Sequence, residues 1–297
     1  MRIVVTGAGG GLGKVLLPLL CADPRVESVM GIDRELPPFK HPKFLGCAGD
    51  IRSFDLITAT TGASAVIHLA FSIRRDGMSL AEMRENNVSG TRNVFLAAAA
   101  SGVPKIINLS SVSVYGTGEN LDEDAPLNPS LRFPYACHKA EVEMLGTTEF
   151  ASLNIVNLRA TFVLGRNALP FLKKMCNSRV YISPSRPHPM IQVVHETDVA
   201  AAVLAGLNPA VTGGAFNLAA PEPITFPRLI KHDRTFMLGI PLSIVDMIVG
   251  KGSTEVRPID SALELLRVPL TVSCDKARKV LGWTPRFSAW QARADCG

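Results

Sequence analysis

The chain has 297 residues, 47% hydrophobic and 19% charged, which supplies a large core and excludes a disordered chain. The net charge is +5, with basic residues scattered and aromatics at only 6%, so neither a nucleic-acid stripe nor a base-stacking platform is expected. The six cysteines, at 21, 47, 137, 176, 274 and 296, match no metal or disulfide spacing and read as reduced thiols of a cytoplasmic protein. The apolar run at 15–21 is too short to cross a bilayer, and a strand-like start followed by a glycine turn fits no signal peptide. No membrane association and no metal are expected.

Ile3-Val4-Val5 reads as a short strand closed by Thr6-Gly7. A helix is expected over about 11–21, with Pro18 placed to kink it. Strand-like runs recur at 28–32, 65–69, 105–109 and 153–158, and continuous apolar runs of this length suit strands buried on both faces. Residues 79–101 read as one long helix ended by Gly102 and Pro104, and another helix runs over about 135–150. Beyond Arg159 the pattern loosens. Residues 178–190, rich in proline, read as loop; 192–194 as a strand; 197–207 as a helix with Asp198 near its start; 215–218 as a further strand. From Pro221 onward, helical stretches are separated by prolines. The class is therefore α/β: a Rossmann-type, doubly wound parallel sheet with a small discontinuous C-terminal substrate lobe. The expected boundaries are a dinucleotide-binding domain over 1–160, completed by roughly 190–220, and a substrate lobe built from 161–190 and 221–297.

The run from Thr6 to Gly13, TGAGGGLG, follows the first strand and opens the first helix. Gly7 permits the tight turn, Gly10 lets backbone approach a pyrophosphate, and Gly13 lets helix and strand pack closely. The helix N-terminus then offers free N–H groups and a positive dipole to phosphate. Asp33 ends the second strand 20 residues beyond Gly13, where a carboxylate accepts hydrogen bonds from the adenosine ribose. An acid there repels a 2′-phosphate and favours NAD, whereas the guanidinium of Arg34 beside it suits NADP. Asp50, before Ile51, reads either as an adenine contact or as a loop acid.

Tyr135 and Lys139 are four apart, which places them on one face of a helix. A phenol titrates near pH 10 and is a poor base at neutrality; a neighbouring ammonium lowers that value. The same lysine can hold the nicotinamide ribose. The spacing is common on protein surfaces, and its position downstream of a dinucleotide turn gives it weight. Ser110 and Ser111 follow a strand, at the end of the sheet where ligands bind, and one of the two reads as a plain loop serine.

These residues carry a resemblance to the extended short-chain dehydrogenase/reductase family, the NAD-dependent epimerases and dehydratases. TGAGGGLG resembles the family's TGxxGxxG, and His68-Leu69-Ala70 its HxA. Asn87 to Thr91 (NVSGT) resembles NVxGT, and Ser111 to Gly116 (SVSVYG) the active-site serine segment. Asp122-Glu123 resembles the acidic step before YxxxK; Val194 to Ala200 (VHETDVA) resembles HVxDVA; Asp275 to Pro285 (DKARKVLGWTP) resembles the C-terminal ending. The resemblance implies Tyr135 as acid/base, Lys139 as its electrostatic partner and ribose ligand, and Ser111 as the substrate hydrogen-bond partner. It implies NAD as cofactor, with Gly10, Gly11 and Leu12 along the pyrophosphate, and Asp33 and Arg34 at the adenosine ribose. Asp50 and Ile51 would face adenine, and Leu69, Ala70 and Asn87 would lie along the cofactor. His195 is expected to be structural, and Cys137 and His138 to point off the Tyr–Lys face. A small-molecule substrate and a homodimer pairing the 79–101 and Tyr135 helices complete the expectation.

The departures from the family pattern bear on the reaction. Dehydratases of the family carry Asp-Glu directly after the active-site hydroxyl residue; Val112 and Ser113 stand there, and a valine moves no proton. Epimerase–reductases of the family place a cysteine where Ser113 stands. Phe162 replaces an asparagine that meets sugar or phosphate, and Ile191 an arginine that meets the diphosphate. The sequence therefore favours an oxidoreductase on a small alcohol or ketone, lipid-like or polyketide-like. The alternatives are a nucleotide-sugar 4-epimerase, with Arg159, Arg166 or Arg186 reaching the phosphates, and a dinucleotide-sensing regulator without catalysis.

Overall fold

The computed structural model describes residues 1–73, 77–178, 180–184, 188–231, 236–240 and 268–297. In chain order the strands are β1 Arg2–Thr6, β2 Ser28–Asp33, β3 Phe44–Ala48, β4 Ala65–His68, β5 Ile106–Ser111, β6 Gly118–Leu121, β7 Ile155–Ala160, β8 Phe162–Leu164, β9 Val180–Pro184, β10 Met190–Ile191, β11 Val193–His195, β12 Gly214–Leu218, β13 Ile224–Thr225, β14 Phe236–Ile240 and β15 Leu270–Val272. The α-helices are α1 Gly11–Ala22, α2 Leu56–Thr60, α3 Leu80–Arg84, α4 Gly90–Ala100, α5 Pro134–Thr148, α6 Pro170–Cys176, α7 Glu196–Gly206, α8 Phe226–Ile230 and α9 Ala289–Ala294.

Successive residues of a strand face opposite sides of its sheet, and the core divides on that rule. Val5, Ile67 and Ile107 pack on one face with Leu16 and Leu20 of α1 and Val199 and Val203 of α7. Val4, Val66 and Ile106 pack on the other with Leu56 of α2 and Val94, Phe95 and Ala98 of α4. Both faces are covered, which explains the unbroken apolar runs. The sheet has seven strands in the order β12-β7-β5-β4-β1-β2-β3, and every pairing is parallel. The strand order reverses between β1 and β4, which opens a crevice at the carboxyl ends of these two strands.

Two expectations need correction. Residues 79–101 are not one regular α-helix: α3 and α4 are joined by a π-helical turn, Glu85–Ser89, the kind of irregularity that re-aims side chains at functional sites. Within the expected loop 178–190, Val180–Pro184 is a strand paired in parallel with β14, in a two-stranded sheet that presents no central position for proline to disrupt. α1 runs through Pro18 to Ala22, as the span 11–21 led one to expect, with the ring on an exposed face. The reading of Pro221 onward that falls on 232–235 and 241–267, and Arg186, lie outside the described residues.

A four-stranded sheet, β13-β10-β15-β6, and a two-stranded one, β11-β8, lie beside the main sheet. A third apolar cluster joins Leu172 of α6, Phe226 and Leu229 of α8, and Ala289 and Ala292 of α9. All six cysteines are free. Among the described residues no helix is long and apolar enough to cross a membrane, and no side-chain group is arranged to hold a metal ion.

Candidate active site

The glycine turn is shaped by contacts that admit no side chain. Gly7 has φ +73°, and a Cβ there would lie 2.4 Å from the backbone nitrogen of Ala70. Gly13 presses on the Ala8 carbonyl, where a Cβ would come within 2.2 Å. A Cβ on Gly11 would likewise come within 2.2 Å of the Asn167 carbonyl oxygen, so the segment after β8 reaches the start of α1. Gly10 is the exposed N-cap, extended, and no acidic side chain occupies the first turn of α1. The first-turn N–H groups of Gly11, Leu12 and Gly13 have no intrahelical acceptor, and the helix dipole adds positive potential at that end. This cradle fits a pyrophosphate.

At the end of β2, Asp33 Oδ2 accepts the Gly9 N–H at 2.8 Å, and Oδ1 accepts the Glu35 N–H at 3.3 Å. Arg34 is exposed next to it. Gly9 was not among the expected site residues, although a Cβ there would lie 2.3 Å from the Glu35 carbonyl; the surplus glycine in TGAGGGLG was the available signal. Asp50 is bound to Arg52 through Nη2 at 2.7 Å and through the Arg52 N–H at 3.0 Å. That guanidinium holds the Asp50 carboxyl below its ordinary range. Ile51 packs beneath Gly90 at the start of α4.

Leu69 and Ala70 follow β4 on the far side of the glycine turn, with the Leu69 N–H donating to Thr6 O at 3.0 Å. His68 is buried between Thr6 Oγ1 at 2.6 Å and Thr91 Oγ1 at 2.9 Å. Burial, then the Lys139 charge, lowers its pKa to about 3. The π-helical turn directs Asn87 inward, where its side chain accepts the Ser72 N–H at 2.6 Å and donates to the Ser72 carbonyl at 2.9 Å. Asn87 thereby fixes the segment that carries Ala70 and Phe71.

α5 starts with Pro134 at its first position, where a missing N–H costs nothing. Tyr135 is next, its ring stacked on Phe133 at 5.5 Å and edge-on to Phe71 at 5.3 Å. Although the side chain is only half-buried by accessible area, this packing pushes the phenol pKa up. Lys139 lies one turn on, with Nζ donating to the Leu109 carbonyl. The ammonium stands 3.5 Å over the Phe71 ring and 5.7 Å from the Tyr135 ring centre. Desolvation lowers the Lys139 pKa to about 7, against the opposing pull of Glu143.

The two serines at the end of β5 part company. Ser110 donates to Glu143 in the interior. Ser111 is half-buried at the strand end and accepts from Ser113 Oγ at 2.9 Å and from the Ser113 N–H at 3.2 Å. Glu143 is paired with Arg159 at 2.6 Å, and Arg159 Nη1 donates to the Tyr115 hydroxyl at 2.6 Å. Tyr115 in turn donates to Asn217 at 2.8 Å. This buried network was not foreseen.

Phe162 packs edge-on against Phe226 at 5.2 Å, and Ile191 is buried in β10. Arg166 is exposed, 3.8 Å from Asp295. His195 caps α7 by accepting the Thr197 N–H, stacks on Phe287 at 3.9 Å and meets Asp295 at 3.2 Å. Cys137 faces the Ser130 carbonyl at 3.4 Å, and His138 is buried against Asn87 at 3.3 Å.

Residues 3–219 match the NAD-dependent epimerase/dehydratase family. An uncharacterized protein of Mycobacterium tuberculosis is 28% identical over 303 residues, which cover 99% of this chain and 29% of that protein. The chain thus spans less than a third of that relative's length. A 3-beta-hydroxysteroid dehydrogenase of Mycolicibacterium neoaurum is 26% identical over 335 residues, covering 99% of this chain and 90% of that protein. Among solved structures, UDP-glucuronic acid 4-epimerase from Bacillus cereus in complex with NAD superposes with a TM-score of 0.77 at 22% identity, covering 99% of this chain and 94% of that one. At that identity the likeness is one of fold.

Proposed function

The chain belongs to the NAD-dependent epimerase/dehydratase family, and from that premise we propose that it is an oxidoreductase interconverting an alcohol and its ketone. Tyr135 is the acid/base, Lys139 its electrostatic partner, and Ser111 the hydrogen-bond partner of the substrate oxygen. The observation that carries this reading is the convergence of α5, bearing Tyr135 and Lys139, with the carboxyl end of β5, bearing Ser111, where Lys139 bonds the Leu109 carbonyl.

NAD supplies the hydride acceptor or, reduced, the donor. Gly7, Gly10, Gly11, Leu12 and Gly13 would hold its pyrophosphate, and Asp33 with Arg34 the adenosine ribose. Asp50 and Ile51 would border adenine, Leu69, Ala70 and Asn87 would flank the length of the cofactor, and Lys139 would hold the nicotinamide ribose. In the oxidative direction Tyr135 takes the substrate hydroxyl proton. A phenol whose pKa is raised by burial resists that role unless a cation steadies the phenolate, and the Lys139 ammonium is the cation one helical turn away. Phe71 and Phe133 pack against two sides of the tyrosine ring and hold it in place.

The substrate we infer carries its hydroxyl or ketone on an apolar skeleton, such as a steroid-like ring system. Phe162 and Ile191 are committed to apolar packing, Arg159 is committed to Glu143, and a hydroxysteroid dehydrogenase is among the relatives. A second reading, a nucleotide-sugar 4-epimerase, draws on the exposed guanidinium of Arg166. The test is NADH formation with hydroxysteroids and secondary alcohols, beside UDP-sugars. Net reduction of NAD supports the dehydrogenase; interconversion of sugars without net NADH supports the epimerase; tight NAD binding without either supports a sensor.

The substrate lobe of this reading comprises 161–190 and 221–297, beside a nucleotide domain of 1–160 completed by roughly 190–220. A cytoplasmic setting accords with six free cysteines. A symmetric homodimer through α4 and α5 is supported by exposed Leu96 and Met144, bordered by the Arg92–Glu149 and Arg84–Glu141 pairs. Sedimentation at micromolar concentration tests it, a monomer being the contrary result.

A further inference from the structure

Tyr135, Lys139 and Glu143 follow one another at four-residue spacing on α5, so they line one face of the helix. Lys139 is 2% exposed and Glu143 4% exposed, both far below what an unpaired charge tolerates. The Glu143 carboxylate accepts from Ser110 Oγ and from Arg159 through Nε at 3.1 Å and Nη2 at 2.6 Å. Ser110 and Arg159 are themselves partners in the β5–β7 register, and Ser110 immediately precedes Ser111. Glu143 therefore touches the element that carries each member of the proposed catalytic set. A buried ion pair of this kind is seldom needed for stability, because apolar side chains of similar volume serve as well. Its place one turn below Lys139 calls for another explanation.

We propose that Glu143 is a positioning residue for the hydride chemistry, holding the Lys139 ammonium as a buried counter-charge and the Ser111 strand end through Ser110, with Arg159 fixing the carboxylate in place. The groups facing Lys139 are consistent with that role. Tyr135 and Glu143 flank it on α5, and His68 faces it from β4, held neutral by burial. β5 presents the Leu109 carbonyl and the segment after β4 presents the Phe71 ring. Arg159 on β7 bonds to Glu143, and the Tyr115 hydroxyl accepts from Arg159.

The kinetic part of the test rests on the oxidoreductase reading; the binding part does not. NAD affinity is measured by calorimetry from pH 5.5 to 9 for the unmutated protein, Glu143→Gln, Glu143→Asp and the double variant Glu143→Leu/Arg159→Met. The double variant removes Arg159 along with its carboxylate partner, so that no guanidinium is stranded, and stays informative if Glu143→Gln fails to fold. In the unmutated protein affinity is expected to fall as Lys139 loses its proton, and Lys139→Met to abolish that transition. In Glu143→Gln and in the double variant the midpoint is expected to move at least one pH unit lower, and Glu143→Asp to restore most of it. With a substrate in hand, kcat is expected to fall roughly 10- to 100-fold at nearly unchanged KM. A double variant with the unmutated midpoint would overturn the proposal and leave the pair a structural one. An unmutated protein that turns over nothing would remove the oxidoreductase reading, while the midpoint still decides the role of Glu143.

Discussion

The Asp33 carboxylate accepts the backbone N–H of Gly9 at 2.8 Å, which ties the end of β2 to the turn between β1 and α1. The carboxylate thus braces the glycine turn from the site where an adenosine ribose would lie. Its charge also repels a 2′-phosphate. NAD is expected to bind more tightly than NADP. Asp33→Ala should weaken NAD by roughly 10- to 100-fold, the worth of hydrogen bonds to a charged group, and so narrow the gap. Calorimetry with both dinucleotides checks this; equal or tighter binding of NADP by the unmutated protein would give the decision to Arg34.

Removal of the Tyr135 hydroxyl should isolate proton transfer. Tyr135→Phe keeps the ring contacts with Phe71 and Phe133 and is expected to slow turnover by about 10²–10⁴-fold, with little change in NAD affinity. Lys139→Met should damage both rate and affinity. It should also raise the thermal stability of the cofactor-free protein near pH 6, because a buried ammonium whose pKa is lowered to about 7 opposes folding while charged. A Tyr135→Phe protein of near-full activity would remove the phenol from the mechanism.

His68 predicts a pH dependence of stability. Its pKa falls from 6.5 to about 3 on folding, chiefly by desolvation. The unfolded chain therefore binds the proton first, so the contribution is intact above pH 6.5 and is lost as the pH falls toward 3. By pH 5 the loss is about 2 kcal/mol, at 1.36 kcal/mol for each pH unit below the unfolded value. Urea unfolding at pH 7 and pH 5, compared with His68→Gln, checks it; identical losses in the two proteins would clear His68.

Asp198 predicts where the C-terminal segment is latched. Its carboxylate accepts the backbone N–H groups of Arg286 at 3.0 Å and Phe287 at 3.1 Å, while its carbonyl accepts Trp283 Nε1 at 2.8 Å. Asp198→Ala strands two donors and is expected to cost roughly 2–4 kcal/mol. The change should appear as a lowered Tm and as earlier proteolysis after residue 283. A Tm unchanged from that of the unmutated protein would show that the latch is dispensable.

The parts legible in the sequence are those whose chemistry is local. The glycine turn, Asp33 and the Tyr135–Lys139 spacing each depend on residues adjacent in one strand, turn or helix, and the two-faced burial of β1, β4 and β5 leaves an unbroken apolar run. What escaped detection depends on partners far apart in the chain. β8 is three residues long and exists because Phe162 to Leu164 pair with Val193 to His195. Arg159 offered a free guanidinium to any phosphate until the β5–β7 register set it beside Ser110 and under Glu143. The π-helical turn at 85–89 changes the phase of a helix without any proline or glycine to announce it, since Gly90 falls after it. No helical periodicity would have turned Asn87 toward Ser72.

The same buried pair bears on substrate choice. A nucleotide diphosphate needs cations or donors, and the positions that would provide them are occupied otherwise. Ile191 is buried in β10 between Ile224 and Leu270, Phe162 lies against Phe226, and Arg159 cannot leave Glu143 without stranding a buried carboxylate. Each charged hydrogen bond forgone is worth roughly 1.5–3 kcal/mol. Two such contacts correspond to about two to four orders of magnitude in affinity. Arg166 remains exposed beside Asp295, and one guanidinium on the surface replaces little of that. Direct titration of UDP-glucose and UDP-galactose into the NAD-loaded protein is therefore expected to give dissociation constants no tighter than about millimolar, while an apolar secondary alcohol binds more tightly. Micromolar binding of either sugar nucleotide, abolished by Arg166→Ala, would transfer the assignment to the epimerase.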